Sequence, residues 1–306
     1  MQSHASSAST VLPPLPPSVF RLIDLALDED LGRGDLTSEA IFGEHDQTRA
    51  TLLAKSALCL SGLDVAQAVF HRVDARIVCQ PLYRDGSLVR PGTPVMNVEG
   101  PVRGVLAAER TVLNFLQRLS GIATLTRKYV DSVAGTGTRL VDTRKTLPGF
   151  RFLDKRAVRH GGGHNHRADL GSGVLIKDNH IAAAGSVTAA IEAVRESAPH
   201  SVRIEVEVTT LAQINEALAA QAHVLLFDNM SPAQVKEALT LLPPRGDVRR
   251  PLVELSGGIT LGTLRSYAEA GADLISVGAL THSAPAADIS LEVAPPGTQP
   301  GDGSRD

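Results

Sequence analysis

From residue 139 to residue 277 short apolar runs alternate with amphipathic stretches, and that rhythm leaves few folds open to the chain. The runs are residues 140–143, 174–177, 202–208, 224–227, 252–255 and 274–277. Each has strand length, and the stretches between them have helical spacing. Two helix starts are explicit: Thr210 with Gln213 and Ser231 with Gln234 have capping-box spacing, and Pro232 stands at the first helical position. Repeated strand–helix units make a parallel sheet, because each helix returns the chain to the end where the previous strand began.

The polar residues decide between an open doubly wound sheet and a barrel. Lys145 follows the first run, Lys177 ends the second and Glu207 lies near the end of the third. Asp228 follows the fourth, Ser256-Gly257-Gly258 the fifth and Gly278 the sixth. In a barrel these ends converge on one face, whereas an open sheet uses only the strands at its switch point. The pattern therefore predicts an α/β barrel, and its six readable strands fall short of the eight in a complete one, so the expected form is incomplete and open.

Ahead of the barrel the patterns are mixed. Residues 20–30 have helical spacing with Leu22, Ile23, Ala26 and Leu27 as the apolar stripe. Asp85-Gly86 and Pro91-Gly92 are turn pairs between short β-like runs, and residues 102–119 read as a long helix. The expected organisation is a flexible tail over 1–18, an N-terminal α+β domain over 19–114, the barrel over 115–290 and a disordered C-terminal tail over 291–306. The Ser/Ala/Pro-rich start has neither the basic beginning nor the apolar run of a signal peptide. Cys59 and Cys79 lack partners at zinc-ligand spacing and read as free thiols, which suits a reducing cytoplasm.

The charge distribution points to the ligand. Arg144, Lys145, Arg151, Lys155, Arg156, Arg159, Arg167 and Lys177 crowd into residues 141–180 of a chain whose net charge is −3. A small molecule with several negative charges is the expected occupant. Arg144 and Arg167 are the strongest candidates, because a guanidinium fork matches a carboxylate bidentately; Arg151, Lys155, Arg156 and Arg159 sit on a predicted helix. In the third run Val202, Ile204, Val206 and Val208 point one way and Arg203, Glu205 and Glu207 the other. Glu207 and Asp228 suit magnesium held largely through water, or salt bridges to Lys145 and Lys177. The glycines of Ser256-Gly257-Gly258 and Gly278 suit a phosphate cradle at the last strands. His160, His164, His166 and His180 lack a His-x-x-x-His pair on a predicted helix, and His166 beside Arg167 is better placed to donate to an anion than to hold a metal.

These residues lie within longer motifs: EDLGRGDLTS (29–38), AERTVLNFLQRLSGIAT (108–124), DTRKTLPG (142–149), GGGHNHR (161–167), LIKDNH (175–180), EVEV (205–208), FDNM (227–230), SGGI and ISVGALTHS (275–283). In this combination and order the chain resembles the quinolinate phosphoribosyltransferases. The resemblance implies a dimer in which the N-terminal domain of one subunit covers the barrel of the other. It also implies the reaction: quinolinate and phosphoribosyl pyrophosphate give nicotinate mononucleotide, pyrophosphate and carbon dioxide, with magnesium. By motif position, Arg144, His166, Arg167 and Lys177 would hold the quinolinate carboxylates and Arg110 would reach in from the neighbouring subunit. Lys145, Glu207 and Asp228 would serve ribose, pyrophosphate and magnesium as the catalytic group, and Ser256, Gly257, Gly258 and Gly278 the ribose phosphate. Ser172 stands where many relatives carry an acidic residue. Three other readings remain open on the residues alone: a nicotinate phosphoribosyltransferase, a Schiff-base aldolase using Lys177 or Lys145, and a non-catalytic anion-binding protein.

Overall fold

A computed structural model describes residues 14–295. The N-terminal part begins with α1 (Pro17–Leu31) and α2 (Leu36–Ile41) and continues through β1 (Gln47–Ala54), β2 (Leu58–Cys59), α3 (Leu63–Val73), β3 (Val78–Pro81), β4 (Leu88–Val89) and β5 (Thr93–Pro101). A long helix, α4 (Val102–Ser132), leads into β6 (Arg139–Val141), α5 (Arg151–His160), β7 (Val174–Ile176), α6 (Asp178–Ala184) and α7 (Val187–Ser197). Then come β8 (Ile204–Val208), α8 (Leu211–Ala219), β9 (Val224–Asp228), α9 (Pro232–Leu239), β10 (Leu252–Ser256), α10 (Leu261–Ala270), β11 (Leu274–Ser276), α11 (Ala279–His282) and β12 (Ile289–Val293).

All six predicted strands form one parallel sheet in the order β6-β11-β10-β9-β8-β7. β6 and β7 are consecutive among its strands yet occupy opposite edges, so the barrel has an open seam between them. The loop after α5 runs along the free edge of β6: His164 N donates to Leu140 O at 2.9 Å and Asp142 N to His164 O at 3.0 Å. That pairing satisfies backbone groups which an open edge would leave bare. It also delivers the GGGHNHR segment to the seam.

Both predicted helix starts are present. Thr210 accepts from Gln213 N, and Ser231 forms a reciprocal capping box with Gln234 behind Pro232. The alternation of β8 buries Glu205, as the strand's two-residue period requires if its valines pack outward on the helices.

Three expected boundaries are corrected. The border at 114 falls inside α4, which runs to Ser132 with Leu116, Leu119, Ile122, Ala123, Thr126 and Tyr129 buried. Ser120-Gly121 interrupts the apolar pattern in the sequence, but Gly121 is a packing residue: a Cβ there would collide with the backbone of Pro285. The expected C-terminal tail is also cut short, because β12 pairs antiparallel with β1, from Ala54↔Ile289 to Ala50↔Val293. The chain end thus completes the N-terminal sheet, ordered β12-β1-β5-β3. At the other end α1 begins at Pro17, inside the expected tail, with Pro favoured at a first helical turn. Residues 1–13 and 296–306 of the expected tails lie outside the described residues.

Candidate active site

At the carboxyl ends of the strands the predicted groups come together. Lys177 follows β7 and caps α6, its N–H donating to Nδ1 of His180 at 2.9 Å. Its Nζ meets Glu207 Oε2, on the neighbouring strand, at 2.6 Å. Asp228 ends β9 opposite Ser256 of β10 and accepts from Asn229 Nδ2 at 2.6 Å. The two loops beyond interlock. Asn229 has φ +56° and donates its N–H to Ser256 O at 2.9 Å, while Gly257 has φ +97° and lies so close to the Asn229 side chain that a Cβ would collide with it. Glycine is required at 257 by both conformation and space. Lys145 lies against Gly278, its Cδ 3.0 Å from where a Cβ on that glycine would be, and its carbonyl accepts from Thr281 Oγ1 at 2.8 Å. The pairing of Lys177 with Glu207 is unlike the apolar seat that activates a Schiff-base lysine.

Behind this face a buried polar cluster fixes the loop carrying His166 and Arg167. Asp142, fully buried, accepts from Lys155 Nζ at 2.5 Å and His166 N at 2.8 Å on Oδ1, and from Asn165 Nδ2 at 2.7 Å on Oδ2. Lys155 Nζ also donates to His166 O at 3.0 Å. Burial pulls the Asp142 carboxyl above its ordinary range, against the opposing pull of Lys155 and the two amide donors. Arg167 donates its backbone N–H to His166 Nδ1 at 2.7 Å and its Nη1 to Gly173 O at 2.9 Å. Its guanidinium is pulled down first by burial and next by the charge of Arg144. Arg144 Nε is itself buried without a hydrogen-bond partner. Two neighbouring guanidiniums, one with an orphaned donor, form an arrangement that an oligo-anion would complete.

The other predicted cations divide differently. Arg156 pairs with Asp64 of α3 at 2.6 Å, Arg159 Nη1 lies 3.0 Å from His164 Nδ1, and Arg151 Nε donates to Thr146 Oγ1 at 3.2 Å. With Lys155 on Asp142, the cations of α5 hold the fold, as their helical position suggested. His160 Nδ1 is 2.8 Å from Ser61 Oγ, another tie between α5 and the N-terminal part. Arg110 is exposed on α4 and lines a shallow cavity with Asp30, Leu31, Gly34, Asp35 and Leu36; none of the barrel's cations lines it.

Sequence reasoning gave no role to Asp142 or Glu254. Glu254 was legible as a lone charge inside an apolar strand, at the period-two position shared with Leu252 and Ser256. In the barrel interior it faces His166, whose Nε2 lies 3.2 Å from Glu205 Oε2 and 3.6 Å from Glu254 Oε1. Among the described residues these three are the one His/Cys/Asp/Glu group whose candidate ligand atoms all lie within 4.8 Å of one another. Burial disfavours the His166 imidazolium, but the hydrogen bond to Glu205 and the charges of Glu254 and Glu205 outweigh it and raise the pKa. A cavity of about 490 Å³ reaches these side chains from the end where the strands begin, past Arg139, Val224, Leu252 and Leu274.

Comparison with known proteins matches both halves of this architecture. Residues 35–120 match the quinolinate phosphoribosyl transferase N-terminal domain and residues 122–292 the C-terminal domain. The chain belongs to the quinolinate phosphoribosyl transferase family. It is 44% identical over 265 residues to a probable nicotinate-nucleotide pyrophosphorylase [carboxylating] of Bacillus subtilis, covering 87% of this chain and 90% of that protein. It is also 44% identical to the nicotinate-nucleotide pyrophosphorylase [carboxylating] of Mycobacterium leprae, over 88% of this chain and 94% of that one. The crystal structure of NadC from Streptococcus pyogenes superposes with a TM-score of 0.87 at 40% identity, covering 93% of this chain and 99% of that one. Family membership and the open barrel thus agree with the reading of the motifs.

Proposed function

We propose that this quinolinate phosphoribosyl transferase family member transfers the phosphoribosyl group of phosphoribosyl pyrophosphate to quinolinate and decarboxylates the product. Nicotinate mononucleotide, pyrophosphate and carbon dioxide result, a step of NAD biosynthesis. The observation that supports the reading is the Arg144–Arg167 pair with its orphaned Nε, in a barrel whose strands are ended or followed by Lys145, Lys177, Glu207 and Asp228. A single carboxylate would leave such a pair of forks only half used; quinolinate brings two.

In this reading Arg144, Arg167 and Lys177 hold the quinolinate carboxylates, with His166 in the same wall, and Ser256, Gly257, Gly258 and Gly278 receive the ribose phosphate. Departure of pyrophosphate leaves an oxocarbenium-like ribose, and the ring nitrogen of quinolinate supplies the electron pair for the new C–N bond. Positioning and charge stabilisation do the work, without a covalent nucleophile. Lys145 lies beside Gly278 and offsets negative charge on the departing pyrophosphate. The pyridinium then accepts the electron pair of the breaking carbon–carboxylate bond as carbon dioxide leaves, and a proton returns to that ring carbon.

Magnesium is part of the proposal. Carboxylates at the ends of adjacent parallel strands, Glu207 and Asp228, fit a cation that prefers one or two carboxylates with phosphate and water. The ion would neutralise pyrophosphate charge there. The homodimer is proposed from the exposure of Arg110, the remaining candidate cation away from the barrel. A cytoplasmic setting suits Cys59 and Cys79, whose thiols burial pushes up to about 11 and so makes unreactive. Among the described residues no helix is long and apolar enough to cross a membrane. The test is to mix the protein with quinolinate, phosphoribosyl pyrophosphate and magnesium and to assay carbon dioxide and nicotinate mononucleotide together; failure to form either overturns the proposal.

A further inference from the structure

The transfer reaction leaves two interior glutamates without a task. Glu205 on β8 and Glu254 on β10 are 8% and 2% exposed, and Oε1 of each has no hydrogen-bond partner. Both carboxylates face Nε2 of His166. A buried carboxylate is costly unless a donor meets it, and Nε2 of His166 lies 3.2 Å from Glu205 and 3.6 Å from Glu254.

A metal ion could also satisfy such a cluster, and the hydrogen bonding of His166 decides against it. Nδ1 accepts the backbone N–H of Arg167 at 2.7 Å, so the hydrogen of the neutral ring is on Nε2, the atom that faces the carboxylates. A nitrogen carrying a hydrogen donates to a carboxylate and has no lone pair for a metal. We propose that Glu205 and Glu254, by meeting Nε2–H of His166, fix the His166 ring and, through the Arg167 N–H, the Arg167 guanidinium, so that both glutamates are positioning residues for the substrate's carboxylates. The chain of contacts is direct: Glu205 holds Nε2, Nδ1 holds the Arg167 N–H, and Gly173 O holds Arg167 Nη1. Asp142 and Lys155 fix only the backbone of this loop. The inference rests on the role proposed above for Arg167.

The test compares Glu205→Ala, Glu205→Gln and Glu254→Leu with the wild type in steady-state kinetics and in nitrogen NMR of histidine-labelled protein. Loss of the acceptor in Glu205→Ala raises the quinolinate KM about tenfold, the scale of one hydrogen bond to a charged group, and leaves the phosphoribosyl pyrophosphate KM unchanged. Glu205→Gln, whose amide oxygen still accepts from Nε2–H, recovers most of that loss. Glu254→Leu, which removes the longer of the two contacts to Nε2, shows a smaller rise confined to the same quinolinate KM. In the wild type His166 gives the spectrum of the Nε2–H tautomer, and in Glu205→Ala the Nε2 signal shifts as its nearer acceptor is lost. Equal rises in both KM values, an unchanged quinolinate KM in folded Glu205→Ala, or an unprotonated Nε2 in the wild type would each overturn the proposal. Stoichiometric zinc or manganese in the purified wild type that is absent from Glu205→Ala would replace it with a metal site. If the wild type fails to use quinolinate at all, the functional proposal falls, while the tautomer measurement still reports on the pair.

Discussion

Replacing Asp142 by Asn changes one oxygen to an NH2 group and tests whether the buried cluster behind the site holds the substrate loop. The carboxylate receives Lys155 Nζ and His166 N on one oxygen and Asn165 Nδ2 on the other. An amide keeps one acceptor and turns a donor on the remaining group. Asn165 cannot turn away without cost, because its Nδ2 also donates to Lys155 O at 2.8 Å. Lys155, 5% exposed, is left as a buried charge without a countercharge, met only by neutral oxygens. Breaking a buried pair at one end costs about 3–5 kcal/mol. At roughly 2–4 °C per kcal/mol for large domains, the melting midpoint falls on the order of 10 °C. Burial itself draws the Asp142 carboxyl upward, so the intact pair carries a desolvation cost that removing both ends returns. Asp142→Asn combined with Lys155→Met is therefore less destabilised than the sum of the single variants, by at least about 1 kcal/mol. Thermal and urea unfolding of the four proteins measure this cycle. An Asp142→Asn protein within about 1 kcal/mol of wild type, or strictly additive variants, would refute the assignment of the pair as the loop's anchor.

Three other outcomes are expected. Glu207→Gln and Asp228→Asn fold but require more magnesium for activity, and an unchanged magnesium dependence in both leaves them as salt-bridge or loop residues. Glu254, raised in the folded protein from an ordinary 4.5 to about 7, holds its proton more tightly folded than unfolded, so its contribution to stability is lost as pH rises across that window. Urea midpoints between about pH 5 and about pH 8 should show a decline that Glu254→Gln reduces, and an identical decline in the variant argues against the assignment. Mixing inactive Arg110→Ala and Lys177→Ala chains restores partial activity, since one site of a mixed dimer regains both residues; mixed dimers confirmed by mass that stay inactive place Arg110 outside the site.

The sequence made the barrel readable because each of its strands is an apolar run ended or followed by a polar residue or a glycine. β8 shows why: its valines and glutamates alternate, so period two alone assigns Glu205 and Glu207 to one side. Depth along the strand was not in the pattern. Glu207 reaches Lys177 near the mouth, while Glu205, two residues earlier, is in the interior with His166 and Glu254. The barrel's connection to the rest of the molecule was less legible. Gly121 looks like a helix breaker until Pro285 fills the space beside it, and residues 289–293 find their partner in β1, more than half the chain away. Such pairings depend on tertiary contact, which local periodicity does not record.

The cation-rich segment had one signature and contains two kinds of chemistry. Arg156, Arg159 and Lys155 lie on α5 and are committed to Asp64, His164 and Asp142. Arg144 and Arg167 lie on loops, repel one another and retain an orphaned guanidinium nitrogen. Charge density could not separate these groups, because Lys155 and Arg167 contribute equally to it. The difference is the compensating acid: Asp142, Asp64 and Asp154 each stand opposite a basic group on or beside α5 or α4, while none of the strand-end carboxylates is paired with either loop arginine. A cation held by a buried acid has its electrostatic need met by the fold, and a cation held near another cation is met only by a ligand. On that criterion Arg144 and Arg167 are the cations that the fold leaves without an acid, and the Asp142–Lys155 pair anchors the backbone just ahead of Arg167.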